Sequence, residues 1–295
     1  MKECSDILQS KNYSVNDKYD AIYQLRSMET EEAMQTLRDC YPFLEGSELL
    51  QHEVMYVFGQ VIIESNIDFL IATLHNDLEA PVVRHEAGEA LANYPLQRER
   101  SLPELRKYLD SNISVLRSTV NLAIKKLESY NFNSNNYCKY VTTTAEPAEP
   151  FTEEEMKNML VSVGLDETSI LDFLLNEKHE EYLKYQVIYR LRNRESVESI
   201  IILSQLLLPE NMNKTSPLMR HEIGFIFGQL SSKAEKNVDA KMNLQKCLLN
   251  LEEDPIVRHE IILAYSEIWG VDDVIKGLKN DKSLLVSESA AIVMD

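Results

Sequence analysis

Glycine and proline are scarce in this chain, 8 and 9 among 295 residues. A sheet protein needs turn-forming residues at short intervals, so this scarcity, beside abundant Leu, Ile, Ala, Glu and Lys, predicts an all-α fold. Cysteine is sparser still. Cys4, Cys40, Cys138 and Cys247 stand far apart with no CxxC spacing, which argues against a zinc knuckle or a disulfide framework and predicts reduced thiols in a cytoplasmic protein. Long apolar runs are missing too: the longest, Ile200 to Leu208, is broken by Ser204 and Gln205, and the first residues, MKECSDILQSKNYSVND, lack the apolar stretch of a signal peptide. No membrane span is expected. Positive charge is also short, with 30 Lys and Arg against 48 Asp and Glu, a net charge of −18. No segment clusters the basic residues that phosphate binding needs, so nucleic acid is disfavoured as the main ligand and a basic or polyamine-like partner fits better. Both halves share the excess, −8 over residues 1–130 and −9 over 152–295. Solubility and steering of a cationic ligand are equally good reasons for it.

What the chain does have is internal repetition. KYDAIYQLR from Lys18, QHEVMYVFGQ from Gln51, RHEAGEALA from Arg84 and LRSTVNLAIKKL from Leu116 align so that Tyr19, His52, His85 and Arg117 share one slot. The intervals suit one helical hairpin each. A second series repeats the first: KYQVIYRLR, RHEIGFIFGQL, RHEIILAYSEI and LVSESAAIVM put Tyr185, His221, His259 and Ser287 in the matching slots. The chain therefore reads as a duplication. Residues 1–130 and 152–295 form two pseudo-symmetric halves of four repeats each, joined by a linker over 131–151 whose Asn, Thr and Pro content suits an irregular connection. Repeats of this length, each with two amphipathic helices, resemble HEAT-type hairpins, whose terminal members act as caps.

Pro81, Pro217 and Pro255 each lie four residues before a His, where a first-turn proline costs no hydrogen bond. Ser216 and Asp254 then become N-caps, and Ser47 holds the same offset before His52. Every His-Glu pair thus falls in the second turn of its helix. Equivalent helices of adjacent repeats pack at about 8–10 Å between axes, so His52 and His85 should project side by side, as should His221 and His259. Two imidazoles and one carboxylate make the set that leaves positions open for oxygen on non-haem iron. Halves that faced each other would bring two such sets into one cleft. HExxH spacing is absent at all four places, which argues against zinc peptidase chemistry. Each Glu directly follows its His, so spacing alone leaves open which carboxylates bind metal.

The ordered set QHEVMYVFGQ, VVRHEAGEAL, MRHEIGFIFGQ and VRHEIILAY, two pairs on either side of a variable linker, resembles the deoxyhypusine hydroxylase family over roughly Lys18 to Val293. The resemblance implies a di-iron monooxygenase with two ferrous ions and O2 as co-substrate. Its partner would be eukaryotic translation initiation factor 5A carrying deoxyhypusine, which the enzyme hydroxylates to hypusine. By the same resemblance His52, His85 and Glu86 would hold one iron and His221, His259 and Glu260 the other, while Glu53 and Glu222 would bind substrate amines.

Four of the eight glycines cluster around the motifs: Gly88 and Gly224 lie three residues after a His, and Gly59 and Gly228 lie seven after. Interior helical glycine costs about 1 kcal/mol relative to Ala, so their clustering suggests a cleft lining, with close helix packing as the alternative. The remaining histidines do not join the pattern. His179 is expected on a solvated turn before a helix, and His75 near a helix end in a dipole or capping role. A HEAT-repeat interaction scaffold without metal and a HEAT-like bilin lyase are the competing readings of the whole, and metal content separates a hydroxylase from a scaffold.

Overall fold

The computed structural model describes residues 1–130 and 146–294, and among them every regular element is helical. The chain divides into two compact units, Met1–Pro147 and Ala148–Met294. The division falls inside the expected linker, most of which lies outside the described residues.

In the first unit, outer helices α1 (Lys2–Gln9), α3 (Glu31–Cys40), α5 (Asn66–His75) and α7 (Arg98–Arg106) alternate with inner helices α2 (Val15–Arg26), α4 (Glu48–Gln60), α6 (Pro81–Leu91) and α8 (Ser114–Ser129). These are four hairpins, with α2, α4, α6 and α8 packed in succession. The second unit begins with an additional α9 (Glu153–Ser162) and then repeats the plan. Its hairpins are α10 (Ile170–Leu175) with α11 (Glu181–Arg194), and α12 (Val197–Leu206) with α13 (Pro217–Gln229). After a short α14 (Ser231–Ala234) come α15 (Val238–Leu249) with α16 (Pro255–Trp269), and α17 (Asp273–Leu278) with α18 (Leu284–Met294). Here α11, α13, α16 and α18 pack in succession.

Outer and inner helices differ as their sequences require. In α3, Ala33, Met34, Leu37 and Cys40 are buried, one stripe of a helix whose other face is charged. In α4, by contrast, Leu49, Leu50, Gln51, His52, Glu53, Val54 and Met55 are consecutive and all buried, and α6, α13 and α16 are similar. A helix buried on all sides must carry apolar residues on every face, and each fully buried Leu, Val or Phe contributes about 1.5–3 kcal/mol.

The starts of these inner helices form as the caps and prolines predict. Ser47 accepts from the Leu50 N–H, Ser216 from Met219 and Asp254 from Ile256, while Pro81, Pro217 and Pro255 open their helices. The arginine preceding three of the histidines ties each hairpin shut. Arg84 donates to the Leu74 carbonyl and pairs with Asp77, and Arg258 donates to the Leu248 carbonyl and pairs with Asp281. Arg220 donates to the carbonyls of Leu206 and Leu207 and pairs with buried Glu253. Each thereby satisfies carbonyls that the preceding outer helix leaves without an intrahelical donor. The neighbouring His is consequently presented from a fixed register. Cys4, Cys40 and Cys247 are free thiols, buried in the core. No helix among the described residues is long and apolar enough to cross a membrane.

Candidate metal centre

The structure brings the predicted ligands of each unit together. In the first, the rings of His52 and His85, carried on α4 and α6, lie 6.4 Å apart between centroids and 26° from parallel. Their Nε2 atoms face the same carboxylate oxygen, Oε2 of Glu86, at 3.2 Å from His52 and 3.5 Å from His85. In the second unit, His221 and His259 on α13 and α16 lie 6.3 Å apart and 21° from parallel, and Nε2 of His259 is 3.5 Å from Oε2 of Glu260. The duplicated sequence has produced duplicated histidine pairs, while the carboxylates differ: Nε2 of His221 lies 4.0 Å from Oε1 of Glu222. All four histidines and Glu53, Glu86, Glu222 and Glu260 are buried.

These spacings suit a divalent ion. Donors about 2.1 Å from a metal and at right angles around it lie about 3 Å apart, close to the N···O separations found. Burying carboxylates this deeply is costly without a compensating cation, and the buried arginines 84, 220 and 258 are directed to Asp77, Glu253 and Asp281. Soft thiolate ligands are absent from the set, which favours an ion served by imidazole and carboxylate. Burial by itself would push His52 down, but its hydrogen bonds and proximity to Glu53 and Glu86 outweigh this and hold its pKa well above the ordinary imidazole range. A bound cation would replace that proton.

The imidazoles are fixed from behind through Nδ1. Those of His85 and His259 reach the hydroxyls of Thr119 at 2.7 Å and Ser289 at 2.9 Å, that of His221 reaches the Ile256 carbonyl at 3.2 Å, and that of His52 reaches Glu53 at 3.3 Å. The first glutamate of each unit has its own support. Tyr23 on α2 donates to Oε2 of Glu53, and Tyr189 on α11 donates to Oε2 of Glu222, both at 2.5 Å. Burial and the adjacent Glu53 carboxylate raise the Tyr23 phenol well above its ordinary pKa, so it remains a donor. Glu89 adds an asymmetry. One donor atom from each of His85, Glu86 and Glu89 lies within 4.8 Å of the others, whereas the residue at the same offset from His259 is Leu263.

Sequence reasoning placed the four His-Glu pairs but missed these supports. Tyr23 and Tyr189 each stand four residues beyond the terminal-slot tyrosines, within near-copied segments, and Thr119 and Ser289 each stand two residues beyond Arg117 and Ser287. Those shared offsets were the available signal. Gly59, Gly88 and Gly224, expected to line a cleft, sit where neighbouring helices approach closely. A Cβ on Gly59 would meet Ala90 at 3.1 Å, one on Gly88 would meet Thr119 at 3.3 Å, and one on Gly224 would meet Glu260 at 3.1 Å. Gly228 is looser, with Ala264 at 4.0 Å. His75 ends α5 but clamps it to the next repeat: Nδ1 meets the Tyr108 hydroxyl at 2.7 Å and Nε2 meets Glu104 at 2.5 Å. His179 lies in the turn before α11, half-buried and stacked on Phe173 with centroids 4.4 Å apart.

Taken together, paired His-Glu sets on stacked helical hairpins define a repeat protein whose buried imidazole and carboxylate donors could hold a metal ion. No family model matches the chain. Individual relatives do. It is 31% identical over 294 residues to deoxyhypusine hydroxylase of Schizosaccharomyces pombe, covering 97% of this chain and 87% of that protein. To the Danio rerio deoxyhypusine hydroxylase it is 29% identical, covering 98% and 88%. The solved structure of human deoxyhypusine hydroxylase in complex with glycerol superposes with a TM-score of 0.81 at 25% identity, covering all of this chain and 94% of that one. The chain belongs to the deoxyhypusine hydroxylase family.

Proposed function

We propose that this protein is a di-iron, oxygen-dependent monooxygenase that hydroxylates the deoxyhypusine side chain of eukaryotic translation initiation factor 5A to give hypusine. The observation that carries the reading is the pair of matching histidine pairs, 6.4 Å and 26° in one unit against 6.3 Å and 21° in the other, each beside a buried glutamate. His52, His85 and Glu86 would hold one iron, and His221, His259 and Glu260 the other. When bound, iron supplies the activation of O2 that the side chains of the protein cannot perform.

The protein's own part is positioning. Arginine-tied hairpins fix where His85, His221 and His259 start, and the Nδ1 contacts fix how each of the four rings is turned. Glu53 and Glu222, oriented by Tyr23 and Tyr189, are matched in charge to the protonated amines of deoxyhypusine, and the net charge of −18 favours approach of such a cationic side chain. The expected compartment is the cytoplasm, whose reducing conditions suit the free thiols of Cys4, Cys40 and Cys247.

The test is to incubate iron-loaded protein with deoxyhypusine-bearing initiation factor under air and read the modified residue by mass spectrometry. Gain of one oxygen atom at that residue, lost in His259→Ala, supports the reading. An unmodified residue with fully iron-loaded wild type would overturn it.

A further inference from the structure

The two hairpins that close each series carry no His-Glu pair, yet their inner helices each send a hydroxyl to a ligand histidine. Thr119 on α8 and Ser289 on α18 are buried, and each is engaged on two sides. The Thr119 hydroxyl donates to the Val115 carbonyl at 2.9 Å, and that of Ser289 donates to the Leu285 carbonyl at 2.6 Å. A hydroxyl has one hydrogen. With that hydrogen committed to its own helix, the oxygen can only accept, so the hydrogen between the residues belongs to Nδ1 of His85 and of His259. In the neutral ring the lone pair is then on Nε2, the atom that faces Glu86 in one unit and Glu260 in the other.

We propose that Thr119 and Ser289 are positioning residues that lock His85 and His259 in the tautomer able to bind metal through Nε2. The inference rests on the assignment of these histidines as iron ligands. Packing supports it independently of the hydrogen bonds. In the first unit Gly88 makes room for Thr119: a Cβ there would sit 3.3 Å from the threonine methyl. In the second unit the residue equivalent to Gly88 is Ile262, and the hydroxyl is carried by the smaller serine. The bulk has changed sides between the units, whereas the hydroxyl remains in both. A role in filling space alone gives no reason for that.

Thr119→Val keeps the side chain's shape and removes the hydroxyl, and Thr119→Ser restores it. Two measurements separate this inference from the functional reading. Nitrogen-15 NMR of the metal-free protein reads whether Nδ1 of His85 carries a hydrogen, and calorimetric titration with ferrous ion under anaerobic conditions reads metal affinity. A hydrogen on Nδ1 in wild type and its displacement towards Nε2 in Thr119→Val are expected, with metal affinity about 10–100-fold weaker and recovered in Thr119→Ser. Unchanged Nδ1 occupancy and unchanged affinity in Thr119→Val would overturn the proposal, as would a wild-type Nδ1 that lacks the hydrogen. A wild type that binds no ferrous ion but shows the expected Nδ1 change would refute the iron assignment and leave the hydroxyl lock standing as a fact of the metal-free protein.

Discussion

Tyr189 donates its phenol hydrogen to Oε2 of Glu222 at 2.5 Å, a bond between the first and second repeats of its unit that holds a buried carboxylate in one orientation. A hydrogen bond to a charged group is worth about 1.5–3 kcal/mol. If Glu222 receives a substrate amine, Tyr189→Phe should raise KM for the deoxyhypusine protein about tenfold or more. Iron content should stay at the wild-type level, since the ring remains and no ligand is touched. Steady-state kinetics alongside metal analysis checks both, and a variant that loses iron without a change in KM would place Tyr189 in the metal scaffold instead.

Gly224 tests how tightly the second ligand set is packed. A Cβ at this position would lie 3.1 Å from Cγ and 3.3 Å from Cβ of Glu260. Alanine gains about 1 kcal/mol of helix propensity over glycine, while overpacking costs about 1–3 kcal/mol, so the fold should survive with a small net loss. The carboxylate, however, must move. Gly224→Ala is expected to keep the helical circular dichroism spectrum and to lose about half of the bound iron.

The helical repeats and the positions of the four His-Glu pairs near helix starts were legible because duplication put recognisable residues in equivalent slots. Pro217 four residues before His221, together with capping Ser216, fixed the helix start as well as any structure could. What lies behind the ligands was harder to see. Thr119 reaches His85 from the next hairpin, a contact between residues 34 apart in sequence, and a Thr in a helix reads as an unremarkable interior residue until its neighbour is known. The glycines show the opposite limit. Their spacing from the histidines suggested a cleft lining with close helix packing as the alternative, and the packed structure shows Ala90, Thr119 and Glu260 beside Gly59, Gly88 and Gly224.

Arg220 supplies the clearest stability test. It is buried, pairs with buried Glu253, and donates to two carbonyls of the preceding helix. Truncation leaves a carboxylate in the core without its cation, at a cost of about 3–5 kcal/mol. Arg220→Ala should therefore shift the urea midpoint far downward, and replacing Glu253 together with Arg220 by apolar residues should recover much of the loss. A single variant with wild-type stability would contradict this account of the hairpin tie.

Glu153 offers a pH dependence of known sign. Hydrogen bonds from Arg194, together with those from Arg190, outweigh burial and hold its carboxyl at about 2, below the ordinary 4.5. A depressed carboxylate contributes stability above its unfolded pKa and loses it as pH falls towards the folded value. The group is half-exposed, so the contribution is screened and should not exceed about 1 kcal/mol. Thermal melts of wild type and Glu153→Gln should differ slightly at neutral pH and converge between pH 4.5 and about 2; a difference that widens on acidification would reverse the assignment.

The claim on which the rest depends is that each unit holds one iron through two imidazoles and one carboxylate. Iron quantified per chain after anaerobic reconstitution and desalting tests it most directly. About two ions per chain are expected in wild type and about one in either His85→Ala or His259→Ala. Iron-free wild type, or the same iron content in wild type and both variants, would contradict it and leave a helical repeat protein whose buried His-Glu sets serve some other purpose.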